Sequence, residues 1–452
     1  MDQELIELNI GIDDVDSPQG GCTTHLATIM SWKLLQRGIE FLDYPNLIRL
    51  NPAIPWKTRG NGAVALRVLA RSEDEVEKIA GILVAEIDQY CEEYRNPKHQ
   101  PALVIHQGGV TDALKKLAGK ALYDVVTLDL AMRVLEKTPS IKAHFVSGKR
   151  GLIGALAAVG YTMRNTDHTY ELLAYRTREY LGKPRAVDEK SIIEVDKVFG
   201  HLMILNYDYT VRRPLITPKG PDPVLFGLRG EDPLVLINAL KLLRIYEPME
   251  YIAIFRTNQH TDSHIHRVDS ICDVRPYMCV SVKGFVKTKP SRKIGGHVFF
   301  DLCDMDCCIT VAVYEPTKEF RDIAEKLEPG DEVEAYGCIR PPGLQHGMTL
   351  NLEKLHVIRV TPLVVYENPV CPRCGKRMES AGRGKGYKCR RCGFRDNSLT
   401  KTITFKQRDI LPGWYQPPHH AFKHLMKPIE RFGKEKSSFN EKPVQGFIKK
   451  IS

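Results

Sequence analysis

Two matched Cys-x-x-Cys-Gly turns, Cys371-Pro372-Arg373-Cys374-Gly375 and Cys389-Arg390-Arg391-Cys392-Gly393, stand 14 residues apart near the C-terminus. Each turn uses its glycine in the left-handed region and aims backbone N–H groups at the thiolates, and four thiolates so spaced suit tetrahedral Zn2+. The rival, a redox dithiol pair, requires a βαβ setting that the flanking residues lack. Four sulfurs leave no coordination position open, so the ion is structural, in a zinc ribbon held by Cys371, Cys374, Cys389 and Cys392. The other eight of the 12 cysteines are scattered through apolar or strand-like segments. That usage predicts reduced thiols and one metal site rather than a secreted disulfide framework.

A chain of 452 residues is too long for one core, and three or four units are expected. No apolar run approaches membrane-spanning length, and the acidic first seven residues are unlike a signal peptide, so a cytoplasmic protein without a membrane partner is expected. The net charge of +10 is concentrated: residues 363–452 hold 20 Lys and Arg against 7 Asp and Glu, which leaves the rest near −3. A basic C-terminal fifth on a near-neutral body is the electrostatic footprint of a nucleic-acid grip, although a solvated basic tail has the same composition.

Residues 1–195 alternate strand and helix patterns. Segments 46–50, 63–69 and 102–106 read as strands, 73–90 as an amphipathic helix and 111–135 as helical, and the charged stretch 185–190 marks the end of this α/β unit. Residues 196–270 carry strand-like runs at 201–205 and 224–228, a helix at 232–243 and a strand at 251–255, the order of a small ferredoxin-like α+β unit. Residues 275–362 become all-β, with strands at 277–285, 297–302, 309–313, 332–339 and 348–360 and one helix at 317–327. This pattern matches an OB-fold β-barrel, and another small barrel would read alike. The zinc ribbon follows at 363–430 and a basic C-terminal tail at 431–452, either an ordered contact or a loose extension. The fold class is therefore multidomain α+β.

At the other end of the chain, an apolar run (Leu5, Ile6, Leu8, Ile10, Ile12) ends in Asp13, Asp14 and Asp16. Gly20-Gly21-Cys22-Thr23-Thr24-His25 then leads into a helical pattern at 26–35. Carboxylates hold a hard cation such as Mg2+, while glycine N–H groups and a helix N-terminus face anionic oxygens. An acidic turn with an ordinary Thr N-cap has the same residues. No Walker A or Gly-x-Gly-x-x-Gly pattern is present, but Ser147-Gly148-Lys149-Arg150-Gly151-Leu152-Ile153-Gly154 sets glycines beside two cations before an apolar helix. Lys149, Arg150, Gly151 and Gly154 are thus candidate phosphate contacts, or signs of close packing. The cationic loop 56–62 and the ionisable run 167–176 are open to binding or purely structural roles. The polar run 255–264 follows a strand and suggests a polar-ligand pocket around Asn258, Gln259 and Asp262, with Asp262 able to hold a cationic group. A solvated loop reads the same way.

Taken together, Gly11-Ile12-Asp13-Asp14, Asp16-Ser17, Cys22-Thr23-Thr24, the run 150–158, Phe255-Arg256-Thr257-Asn258-Gln259, Leu411-Pro412-Gly413-Trp414 and the OB and ribbon patterns resemble the archaeal isoleucine-tRNA 2-agmatinylcytidine synthetase family through nearly the whole chain. The resemblance implies a kinase-like N-terminal domain, a ferredoxin-like domain that helps build the substrate pocket, and OB and zinc domains that hold tRNA. It implies an ATP-dependent C–N ligase that replaces the 2-oxo group of the wobble cytidine of an isoleucine tRNA (CAU anticodon) by agmatine. The cytidine is first phosphorylated, and ATP is consumed to AMP and phosphate. ATP, Mg2+ and Zn2+ are the expected cofactors, and tRNA and agmatine the partners. Thr23 matches the family's phosphorylated threonine, with Asp13, Asp14 and Asp16 the catalytic acids beside it. One departure stands in the acidic turn, where Val15 replaces the family's usual Thr. If that hydroxyl binds metal or phosphate its loss weakens ATP handling; if the side chain packs, Val costs little. A non-catalytic OB and zinc-ribbon nucleic-acid-binding protein, or an enzyme using another amine, remains open at the level of sequence.

Overall fold

The N-terminal apolar run forms strand β1 (Ile6–Asp13), buried on both faces at the centre of a large sheet. The structure, a computed structural model, describes residues 5–58, 60–344, 346–436 and 442–452. Arg59 of the cationic loop, 1–4 of the acidic N-terminus and 437–441 of the basic tail lie outside the described residues.

Helix α1 (Thr23–Leu35) follows β1, then β2 (Asn46–Arg49), β3 (Gly62–Ala70), α2 (Glu73–Glu93) and β4 (Ala102–Gln107). The helical pattern at 111–135 is two helices, α3 (Asp112–Tyr123) and α4 (Leu128–Glu136). The break falls where Thr127 caps α4 by accepting the Leu130 N–H. Then come β5 (Ile141–Phe145), α5 (Leu152–Gly160), β6 (Thr169–Arg176), α6 (Glu189–Phe199), β7 (Val224–Gly230), α7 (Pro233–Leu242) and β8 (Met249–Thr257). The strand expected at 201–205 is instead a short 3-10 turn, Gly200–Leu202, followed by irregular chain.

The sheet order is β7-β6-β8-β2-β3-β1-β4-β5, antiparallel throughout except where β8 lies parallel to β2. One sheet thus runs through both of the first two units. Alternation along β1 sends Leu8, Ile10 and Ile12 into the core under α1 and α2, and Asn9, Gly11 and Asp13 toward α5. Helix α5 sits so close that a Cβ on Gly11 would overlap the Ala155 carbonyl.

The barrel strands are β9 (Cys279–Val286), β10 (Val298–Cys303), β11 (Cys308–Val313), β12 (Glu332–Arg340) and β13 (Thr349–Arg359), with α8 (Glu319–Glu325) between β11 and β12. Pairings of β9 with both β10 and β12, and of β13 with both β11 and β12, close the OB barrel. A two-stranded strut, Leu363–Glu367 against Thr402–Lys406, carries the zinc ribbon. The chain then returns: Gly413–Tyr415 adds to β13, and Ile448–Lys450 adds to β8 in the first sheet. Arg431, 2% exposed, binds Asp167 and Glu231 and locks this return onto the body, and Phe447 and Ile448 join the core of the first sheet.

The expectation of reduced thiols is corrected in the barrel. Cys279 stands opposite Cys338 and Cys303 opposite Cys308 in the strand ladders, and both pairs are disulfides, as is Cys272–Cys307. Cross-strand register brings these sulfurs together, and sequence spacing carries no trace of it. Cys22, Cys91 and the four ribbon cysteines are free thiols.

Candidate active site

The acidic turn straddles the end of β1. Asp13, on the face toward α5, is half-buried, and desolvation together with the Asp14 and Asp16 charges raises its carboxyl well above the usual range. Helix α5 can approach because residue 154 is Gly; a Cβ there would overlap the Asp13 carboxylate. Asp14 adopts φ +62° and turns its Oδ2 to the Gln100 N–H (2.9 Å) and the Arg150 guanidinium (3.1 Å). Gln100 Oε1 in turn accepts the N–H groups of Lys149 (3.1 Å) and Arg150 (3.0 Å), which fastens the glycine loop to the turn. Gly151 packs against the Gln100 and Asp13 backbone, and the exposed Lys149 ammonium lies over Phe145. Of the two cations in that loop, Arg150 is therefore the one brought to the carboxylates.

Asp16 faces the other side, toward α1. Its Oδ1 accepts the Thr23 N–H (3.0 Å) and the Thr23 hydroxyl (3.2 Å). The N-cap position of α1 is Cys22, which makes no side-chain cap, and the Tyr90 hydroxyl accepts the Cys22 N–H (3.1 Å). Thr23 is thus not an ordinary N-cap; its hydroxyl sits on a carboxylate at the cavity wall. Val15 between the acids is 3% exposed and packs into the core under the turn.

Two cavities share this turn. The smaller, about 100 Å3, is bordered by Asp13, Asp14, Arg150, Gly154, Trp56 and Lys57. The larger, about 400 Å3, is bordered by Asp16, Thr23, Arg49, Glu171, Arg229 and His424, with Asp222 and Lys219 at its loop side. Glu171 and Arg229 come from paired positions of β6 and β7, and His424 from the returning C-terminal segment.

Asn258, Gln259 and Asp262 lie behind the larger cavity rather than on its surface. Asn258 accepts the Arg49 N–H (2.8 Å) and donates to the Arg49 carbonyl (2.9 Å), tying β8 to β2. Asp262 pairs with the buried Lys354 of the barrel and accepts the Lys427 N–H (2.7 Å), so its charge is already neutralised. Gln259 donates to Glu171 and bonds His424 (3.0 Å). The carboxylates on the wall of the larger cavity are Asp16, Glu171 and Asp222, the last held by Arg185. Glu171 falls in the ionisable run already noted; Asp222, Arg229 and His424 carry no linear signal.

In the ribbon, Cys371 and Cys392 sulfurs lie 3.5 Å apart, as do those of Cys374 and Cys389, and all four fall within 4.8 Å of one another. Gly375 (φ +72°) and Gly393 (φ +73°) hold the matching turns. This sulfur cage fits tetrahedral Zn2+. The three aspartates do not close in the same way: among the described residues the two groups of ligand atoms within 4.8 Å of one another are the ribbon cysteines and His264-Cys338-Glu353. A cation at the acidic turn would complete its shell with water and phosphate oxygens, as Mg2+ commonly does. No helix is long and apolar enough to cross a membrane among the described residues.

Four family models match the chain: the TiaS TCKD domain at residues 9–146, the TiaS FLD domain at 149–264, an OB-fold nucleic acid binding domain at 280–358 and the TiaS C-terminal zinc ribbon domain at 368–410. The isoleucine-tRNA 2-agmatinylcytidine synthetase TiaS of Staphylothermus marinus is 51% identical over 438 residues, 96% of this chain and 95% of that protein. The crystal structure of a TiaS complex with isoleucine tRNA and ATP aligns with TM-score 0.83 at 35% identity over 97% of this chain and 100% of that chain. A TiaS complex with isoleucine tRNA, AMPCPP and agmatine aligns with TM-score 0.81 at 33% identity and the same coverage.

Proposed function

The chain belongs to the TiaS family of isoleucine-tRNA 2-agmatinylcytidine synthetases, and from that premise we propose that it conjugates agmatine to C2 of the wobble cytidine of an isoleucine tRNA at the expense of ATP. The observation that carries this reading is the pair of cavities meeting at one acidic turn, with Asp13 and Asp14 on one and Asp16 with Thr23 on the other.

ATP phosphates are assigned to the Asp13, Asp14, Arg150 and Gly154 side, where Arg150 and glycine-rich backbone neutralise and approach them. Mg2+ would be held by these aspartates, where it would neutralise phosphate charge and orient the γ-phosphoryl group. Thr23, with its hydroxyl on Asp16 at the wall of the larger cavity, receives or guides the phosphoryl group. The cytidine and agmatine share the larger cavity, and Glu171 and Asp222 take the guanidinium of agmatine in place of the Asp262 expected from sequence. Phosphorylation turns the poor 2-oxo leaving group into a phosphate that the amine displaces. Residues 1–195 act as the kinase-like part and 196–270 as the ferredoxin-like part, which divide the labour within one sheet. The OB barrel (275–362) and the zinc ribbon (363–430) hold the tRNA. Exposed Lys376, Arg383, Lys385, Lys388 and Arg391 on the ribbon supply phosphate contacts, and the work takes place in the cytoplasm, where the tRNA is. Of the basic tail expected at 431–452, residues 431–436 and 442–452 serve as the strap that returns to the sheet.

The test is mass spectrometry of nucleosides from an isoleucine tRNA transcript incubated with the protein, ATP, Mg2+ and agmatine. A wobble cytidine heavier by the agmatine adduct supports the reading. Unmodified cytidine on tightly bound tRNA reduces the protein to a binder and removes the catalytic assignments.

A further inference from the structure

Resting on that placement of the substrates, we infer that His424 is the proton acceptor for the attacking amine. Its side chain borders the cavity that holds Thr23, and it reaches there from the segment returning after the zinc ribbon, 165 residues from its partner Gln259.

The argument starts from the hydrogen-bond chain. Glu171 is an acceptor, so the Gln259 amide must present its Nε2 to Glu171. Gln259 Oε1 then faces His424, and Nδ1 of His424 must be the donor in that 3.0 Å bond. The tautomer is therefore set with the proton on Nδ1 and a bare lone pair on Nε2. Nε2 lies 3.7 Å from where a Cβ on Gly60 would stand, at the cavity wall, and has no hydrogen-bond partner among the described residues.

The groups facing His424 keep it neutral. The ring is itself exposed, and Arg49 on β2 first, with Arg229 on β7, His260 after β8 and Lys57 in the loop before β3, lowers its pKa well below the ordinary value, while Glu171 bonds Gln259 rather than His424. The same cations, with Lys219 at the rim, disfavour an ammonium at this end of the cavity and favour the free amine. The other titratable groups of the wall are committed. Asp16 holds Thr23, Glu171 and Asp222 are turned to the guanidinium of agmatine while also bonding Gln259 and Arg185, and burial pushes the Cys22 thiol up to about 12. Among the described residues of the wall, His424 is the neutral nitrogen base that remains.

In the step, the amine lone pair forms the N–C2 bond, the C2–O bond breaks and its electron pair leaves with the phosphate. The surplus N–H proton passes to His424 Nε2 and, because the neighbouring cations oppose an imidazolium, moves on at once from the exposed ring to solvent, which restores the starting tautomer.

The test uses full-length His424→Ala and His424→Gln under single-turnover conditions with tRNA, ATP, Mg2+ and agmatine. Alanine is expected to slow adduct formation by roughly 100-fold, with tRNA affinity retained and with part of the rate restored by added imidazole. Glutamine can still donate to Gln259 but has no basic nitrogen, so it should be as slow as alanine. Adduct formation within threefold of wild type in His424→Ala overturns the inference. So does recovery of the rate by glutamine, or a loss that imidazole does not relieve. If the unaltered protein forms no adduct at all, it is the proposed function that fails, and the two failures are thereby separated.

Discussion

The acidic turn works because single residues around it are small or apolar. Gly154 lets α5 close onto Asp13, and a methyl group there would collide with the carboxylate while touching little else. Gly154→Ala is therefore expected to weaken ATP use by at least tenfold while the melting temperature moves by only a few degrees, which ATP titration and thermal melts will separate. Val15 answers the question that its departure from the family raises. It is buried in the core under the turn, so its shape rather than a polar contact is what the fold uses. Val15→Thr buries a hydroxyl among apolar neighbours and should lower stability by about 1–3 kcal/mol without raising activity. A gain in ATP turnover would show instead that the hydroxyl reaches metal or phosphate.

At the scale of elements, the start of α1 is held by two side chains, one from the turn just before it and one 68 residues beyond Cys22. Asp16 caps the Thr23 N–H, and Tyr90 on α2 takes the Cys22 N–H while its hydroxyl also meets His25 Nδ1 at 2.9 Å. Tyr90→Phe removes both contacts and should cost about 1–2 kcal/mol, with a larger proportional loss of activity because Thr23 sits on the loosened turn. An unchanged turnover number would mean that Asp16 alone positions Thr23. Local periodicity carried most helices and strands, such as α2 and β3, because one face of each meets a core. It misread 201–205, where apolar side chains pack from an irregular turn, and it joined α3 to α4 because both apolar faces pack with α5 in one core.

For the whole molecule, the ribbon is joined to the barrel by a two-stranded strut, so its folding depends on its own metal. Chelation, or Cys371→Ser, is expected to remove the salt-sensitive part of tRNA binding while the melting transition of the large sheet stays in place. Calorimetry and binding at two salt concentrations test this. Acid should act on the body instead. Burial lowers His25 to about 3, His260 to about 3 and His168 to about 4, below an unfolded value near 6.5. The unfolded chain therefore binds more protons below about pH 6.5. Stability is full above that pH and falls as pH drops toward 4, with a slope of up to about 1.4 kcal/mol per pH unit for each histidine. Melts between pH 7.5 and 4.5 should show this fall, and His25→Asn should flatten it.

The sequence by itself determined the features that short spans encode: the sulfur cage of the ribbon, the five strands and helix of the barrel, and the residue content of the acidic turn and of the glycine loop. Each of these depends on the spacing or periodicity of neighbours. Only the tertiary structure decided what long-range pairing sets. It joined β6, β7 and β8 to β2 in one sheet and paired cysteines across barrel strands. It spent Asp262 on Lys354 and brought His424 back to Glu171 through Gln259. A side chain's charge is free or neutralised according to which distant segment lands beside it. That landing is set by packing of the whole chain, to which no local pattern is sensitive.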